Sequence, residues 1–335
     1  MTRTSISLAV SVSTFLCAAA LAGETLRPIA SDGKWGFIDA AGKVVVTPEY
    51  AAARDFSEGL AAVERDGKWG YIDAKGTLVI TPQYAEAGEF HDGRAMVAMK
   101  KGLVGREVGF IDKEGKVIVG FEYTSAGKFS DGLACVERDG KWGYVDPSGK
   151  RVIELQFDDA ADFSDGLARV KAGGEWGGKY GYVGKDGKFV INPRFKSCGD
   201  FAAGLAPVEV DGKWGYLNRK GEMAIEPQFA GAEPFCNDRA CVWVGNRIGR
   251  TAGYIEKSGR MVVNPGFEDA RPFQGDRAAV RKDGKWGYIN AGGEFVIKPR
   301  FDKAGDFQDG LAWVQVDGQP AWINEKGDSV WGPSK

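Results

Sequence analysis

Seven basic side chains and two tryptophans stand where this sequence could hold an anion. Lys100, Lys101, Arg106, Lys171, Lys179, Arg247 and Arg250 fall in three glycine-containing stretches, residues 99–107, 171–179 and 245–250, with few acids among them. Trp176 lies inside one stretch and Trp243 just precedes another. Cations beside aromatic faces suit an acidic protein or an anionic glycan, because charge supplies attraction and the rings supply stacking. The competing reading is a set of solvated hairpin tips with no ligand. Catalysis has less to work with. The single histidine, His91, sits in Phe90-His-Asp-Gly, at a position that elsewhere holds serine, alanine, cysteine or glutamine. No His or Cys cluster has metal-ligand spacing, and no nucleophile elbow or phosphate loop is present. Carboxylates from distant parts of the chain could pair as in a hydrolase. Nothing distinguishes such a pair from the aspartates of recurring Asp-Gly turns. No catalytic residue, metal or cofactor is therefore expected.

The elements that must position these side chains are repeats. An apolar hairpin strand, a glycine turn, a strand usually reading Lys-Trp-Gly-aromatic-Ile-Asp and a second glycine turn recur nine times. The closing glycines are Gly42, Gly76, Gly115, Gly149, Gly187, Gly221, Gly259, Gly293 and Gly327, in steps of 34 to 39 residues. A fixed period of this size marks an array whose units bury their apolar faces against their neighbours. In residues 56–90, Leu60 to Arg65, Lys68 to Asp73 and Thr77 to Thr81 read as three strands. Asp66-Gly67 closes a tight hairpin and Gly76 ends a type I turn. Pro82 lacks a donor and stops the third strand, and Tyr84 to Phe90 reads as a compact connector long enough for one helical turn. Ala61 and Val63 recur in register, as do Phe56 and Tyr84 or phenylalanine in its place. These series read as ladders along a continuous core, with each Trp packing on the neighbouring unit.

The fold expected is an all-β, nine-unit array of three-stranded antiparallel units, either a curved solenoid or a propeller-like ring. Three strands per unit favour the solenoid, since propeller blades usually have four. So does a last unit that stops near Trp331 without a Pro-x-Phe connector.

The units match the WG, or KWG, repeat family of bacterial proteins from about Leu26 to Trp331. The matching residues are Asp-Gly-Lys-Trp-Gly-Tyr-Ile-Asp and Phe-Ser-Asp-Gly-Leu-Ala. The resemblance implies an all-β interaction module and carries no catalytic residue with it. Units 3, 5 and 7 depart from the motif, with Val108-Gly109, Tyr180-Gly181 and Ala252-Gly253 in place of Trp-Gly. In the same units the hairpin is longer: Val97 to Gly109 spans 12 residues and Val170 to Gly181 spans 11, against 7 for Val63 to Gly70. Insertions at one repeat position map to one face of an array, often the binding face. The basic residues above lie in these long hairpins.

Residues 1–22 hold a basic start, an uncharged run from Leu8 and an Ala20-Leu-Ala22 end, which describe a secretory signal peptide. Residues 23–335 then form a single domain, exported to the periplasm or beyond. Cys17 as a lipid anchor is the weaker reading, because Thr14-Phe-Leu16 fits a lipobox poorly. No later segment is apolar enough to cross a membrane. Without residues 1–22 the net charge is −3, which is no footprint for nucleic acid. Of the four remaining cysteines, Cys198 takes the place of a repeat alanine. Cys236 and Cys241 flank one turn, where an exported protein could form a disulfide. The expected role is a scaffold binding a protein or an anionic envelope polymer. A carbohydrate-binding module using exposed Trp is the alternative, and a hydrolase the third.

Overall fold

The computed structural model describes residues 26–103, 105–174, 177–246 and 249–333. Nine antiparallel sheets follow one another along the chain and form the blades of a nine-bladed β-propeller. The described residues contain no helix. Blade 2 is typical: Ala52–Ser57, Leu60–Arg65, Lys68–Asp73 and Leu78–Tyr84 pair in chain order. The first strands of blades 2 and 3 lie against each other, and those of later blades lie against the third strand of the blade before, so the first strand is innermost and the fourth outermost. Asp66 and Gly67 both take positive φ, as a two-residue hairpin turn requires. Asp73 fixes the second turn, accepting the Lys75 and Thr77 amides on Oδ1 at 2.9 Å and the Gly76 amide on its carbonyl.

The connector expected over Tyr84 to Phe90 is a strand. Glu86–His91 pairs with Arg94–Lys101 and forms the inner strand of blade 3. Each repeat thus donates its last segment to the blade that follows, which supplies the fourth strand, reduced in blade 6 to the isolated bridges of Cys198 with Val208 and Ala202 with Leu205. Blade 1 follows the last repeat around the ring and has three strands among the described residues. Of the two architectures left open, the ring forms.

Nine apolar clusters, each shared by two adjacent blades, account for the core. Eight join consecutive blades. The ninth joins blade 9 to blade 1 through Ile29, Ile38, Leu311 and Trp322. At every consecutive interface a third-strand aromatic meets the inner-strand Phe of the next blade edge-on. Tyr144 and Phe163 have ring centroids 4.8 Å apart, and the eight pairs span only 4.7–4.9 Å. Where that aromatic is Tyr, its hydroxyl donates to an inner-strand carbonyl of the next blade, as Tyr216 does to Glu233 at 2.8 Å. The same bond recurs from Tyr71, Tyr144, Tyr182, Tyr254 and Tyr288 at 2.7–2.9 Å. Edge-to-face geometry and a bonded hydroxyl let one side chain serve packing and register together.

The repeat tryptophans Trp35, Trp69, Trp142, Trp214 and Trp286 are half-buried against these interblade clusters. The glycine after each packs within its own blade. A Cβ on Gly70 would stand 2.4 Å from the Ile80 carbonyl oxygen, in the outer strand of its own blade. Trp therefore packs between blades, while Gly lets the third and outer strands approach within one blade.

Candidate functional site

Antiparallel strands alternate in direction, so the hairpins between second and third strands share one face with the outer-to-inner connections. The long hairpins of blades 3, 5 and 7 therefore project from one face. Nine blades divide the circle into steps of about 40°, which sets successive long hairpins about 80° apart. The short hairpins Asp139-Gly140 and Asp211-Gly212 stand between them.

In blade 3 the strands Arg94–Lys101 and Gly105–Asp112 stay paired to the tip, with Lys100 opposite Arg106. Leu103 at the tip is fully exposed. Lys101 is ion-paired with Glu107 and Arg106 with Glu86, while Lys100 is exposed. In blade 5, Ala168–Ala172 and Lys179–Val183 flank a loop whose Gly174 amide is held by Asp158 at 2.8 Å. Lys171 lies 5.9 Å over the Tyr180 ring, and Lys179 is half-buried. In blade 7, Arg239–Val244 and Thr251–Glu256 lead to a loop where Arg250 lies 5.6 Å over Trp243. Trp176 and Arg247 lie outside the described residues.

Trp243 has a packing role that its position just before the tip conceals. Ala252 occupies the repeat Trp position in blade 7, and Trp243 stands directly across from it. Its half-buried ring covers Gly231, where a Cβ would come within 3.2 Å. The small Ala252 leaves room that Trp243 fills from the facing strand. Tyr180 makes a comparable substitution in blade 5, donating from its hydroxyl to Asp159 at 2.9 Å with Arg169 at 5.1 Å over its ring. The signal for both was available in the repeat register.

The inner strands hold a second set of ionisable groups around the axis. Asp55, Glu89, Asp162, Glu233 and Asp306 lie there, and burial raises the pKa of each. Asp55 raises Glu89 further by repulsion. Arg169 donates to Asp200 at 3.1 Å across blades 5 and 6. His91 lies 3.8 Å from Glu89, and burial, with Lys128 nearby, lowers its pKa. No group of three or more His, Cys, Asp or Glu side chains suited to a metal occurs among the described residues.

The expected Cys236–Cys241 disulfide does not form among the described residues, and both side chains are buried. Strand register explains this. Cys236 bridges Arg239 at the turn, whereas the Cys241 carbonyl accepts the amide of Glu233, three residues before Cys236. The Cys241 sulfur faces blade 8, 3.9 Å from the Ala270 carbonyl. Cys198 is buried as its alanine register implied. Burial pushes the Cys135 and Cys241 thiols far up and Cys198 to about 11. Such thiols carry little thiolate at neutral pH, the form that attacks or ligates.

The family described as WG containing repeat matches residues 35–69, 69–102, 109–142, 142–176, 180–214, 214–247, 253–286 and 286–319. The chain belongs to the WG repeat family. The matches run from one Trp register to the next and so cross blade boundaries. No curated protein matches the sequence. Among solved structures, the WG-repeat ring is similar to Kluyveromyces lactis Hsv2p, at 12% identity and TM-score 0.41, over 60% of this chain and 74% of that one. It is also similar to the β-propeller domain of the Trilobed protease from Pyrococcus furiosus, at 9% identity and TM-score 0.40, over 92% and 99%. The tricorn protease matches at 10% identity and TM-score 0.27, over 90% of this chain and 44% of its own. At that distance these likenesses carry no functional implication.

Proposed function

We propose that this WG-repeat propeller is an exported, non-catalytic scaffold that binds an acidic protein or an anionic envelope polymer through the face bearing its long hairpins. The observation that carries the reading is the placement of the three long hairpins, with Lys100, Arg106, Lys179 and Arg250, on one face of a chain that is slightly acidic overall. Rigid blades hold the tips apart, so a ligand must be extended to touch more than one. The repeat tryptophans are half-buried between blades, which leaves less of them for stacking a sugar.

The test replaces Lys100, Arg106, Lys179 and Arg250 together with alanine and measures binding to poly-glutamate and to polygalacturonate. Wild-type binding should weaken as salt rises, and the quadruple variant should lose it with an unchanged melting curve. Equal binding by both proteins would leave these loops as solvated tips. Export is tested separately. The mature protein should begin at Gly23, and retention of residues 1–22 or a lipid on Cys17 would overturn that part. That segment lies outside the described residues.

A further inference from the structure

Eight interfaces of the ring are built alike, and the ninth is built differently. At the eight, a Tyr or Phe meets the inner-strand Phe of the next blade. Blade 1 has three strands among the described residues, Arg27–Ser31, Lys34–Ile38 and Val44–Tyr50, so it offers no such Phe to blade 9.

Two departures from the repeat meet at this seam. Trp322 stands in the Tyr or Phe register, and its indole Nε1 donates to the Pro28 carbonyl at 3.0 Å. In blades 4 to 8 the carbonyl at the Pro28 register takes an amide from its own inner strand. Gly127 donates to Cys135, Ala161 to Arg169, Gly199 to Pro207, Glu233 to Cys241 and Arg271 to Ala279, at 2.8–3.0 Å. The indole N–H thus stands in for a strand amide. Arg27 occupies the register that holds Ala61, Ala95 and Ala134 in other blades. It is 2% exposed, and its guanidinium lies 5.8 Å over the Trp322 ring, the ring the missing Phe would have met. It donates to the Gln308 carbonyl at 2.7 Å and to Asp309 Oδ2 at 2.9 Å. A Cβ on Gly42 would reach within 2.0 Å of the Val330 carbonyl oxygen, so the outer parts of the two blades also touch.

We infer that Arg27 and Trp322 form a latch that closes the ring in place of an inner strand, and that the seam between blades 9 and 1 is where the ring opens first. At every other interface the chain itself runs from the outer strand of one blade into the inner strand of the next. Blades separated there stay tethered and return at high effective concentration. At the seam no backbone crosses among the described residues, and only side chains and one turn hold the blades together. Local opening follows the weakest such boundary.

Hydrogen exchange on the intact protein tests this. Third strands are flanked on both sides in every blade, so comparing them removes any free-edge effect. Lys34–Ile38 and Gln319–Asn324 should exchange about tenfold faster than Lys141–Val145 and Lys213–Asn218. Arg27→Ala should widen that ratio about tenfold again and leave the middle blades unchanged, and Trp322→Tyr should widen it less. Tyr254→Phe, which removes one hydrogen bond at an interior interface outside the four compared strands, should leave the ratio alone. Seam strands as slow as the middle blades in the wild-type protein would overturn the latch. So would uniform acceleration of all blades by Arg27→Ala.

Discussion

The interface between blades 4 and 5 and the one between blades 9 and 1 solve one problem with different chemistry. The first uses an aromatic pair, Tyr144 on Phe163, a hydroxyl bonded to Ala161 and a connecting strand. The second uses a buried cation on an indole and an indole N–H on a carbonyl, with no connecting strand among the described residues. The comparison teaches that a repeat ring need not close with a repeat unit. Its last interface can be made from two substitutions that bring most of their polar atoms to partners, although Arg27 Nε is buried without one. Apolar burial dominates at interior interfaces, and polar pairing has a larger share at the seam.

Several substitutions would sharpen or break that contrast. Phe163→Ala empties a fully buried aromatic site and should cost about 3–5 kcal/mol by denaturant melting. Trp142→Ala, at a half-buried site, should fall at the lower end of that range. If either variant melts like wild type, the interblade clusters are not the core. Trp322→Phe keeps a ring but removes the indole donor and weakens the contact with Arg27, at about 1–2 kcal/mol. A loss below that of Tyr216→Phe, expected near 1 kcal/mol, would mean the seam has no special chemistry. The reverse change at Phe110 sharpens the same point. Phe110 holds the Tyr register with Gly127 seventeen residues on, so Phe110→Tyr should add an interblade hydrogen bond worth up to about 1 kcal/mol.

The smallest effect expected is electrostatic. Burial raises the pKa of Asp55 in the folded ring, with Arg27 opposing, and one of its buried oxygens has no hydrogen-bond partner. A carboxyl whose folded pKa lies above its unfolded value contributes stability below the unfolded value and loses it as pH rises through the folded value. At neutral pH the buried Asp55 carboxyl therefore opposes folding. Asp55→Asn should raise the melting temperature at pH 7, and the gain should fade once pH falls below the ordinary carboxylate range. A lower melting temperature at pH 7 would show that the charge on Asp55 is needed by Arg27 at the seam.

Much of the ring was legible in the residues. Period, hairpin turns and the Ala, Val and Phe series all express short-range rules: side-chain alternation, positive φ at Asp-Gly, and one residue type per packing position. The alternate lengthening of hairpins was equally plain. The inner strand was not. In Tyr84 to Phe90, Gly88 and Glu89 break the apolar alternation because the strand bulges between Ala87 and Phe90, so periodicity read it as a connector. The disulfide expectation failed because proximity in sequence says nothing about register across a turn. Trp243 looked like a tip residue until Ala252 across the hairpin showed which space it fills.

The sequence by itself determined that this protein is a nine-fold all-β array and where its units differ, because those features depend on neighbours within a few dozen residues. Only the tertiary structure decided that each repeat completes the next blade and that the array closes. Closure joins Arg27 to Asp309 and Trp322 to Pro28, partners at opposite ends of the chain. No local preference encodes such a pairing. It depends on the small rotation from blade to blade summing to a full turn, and that sum exists only in three dimensions.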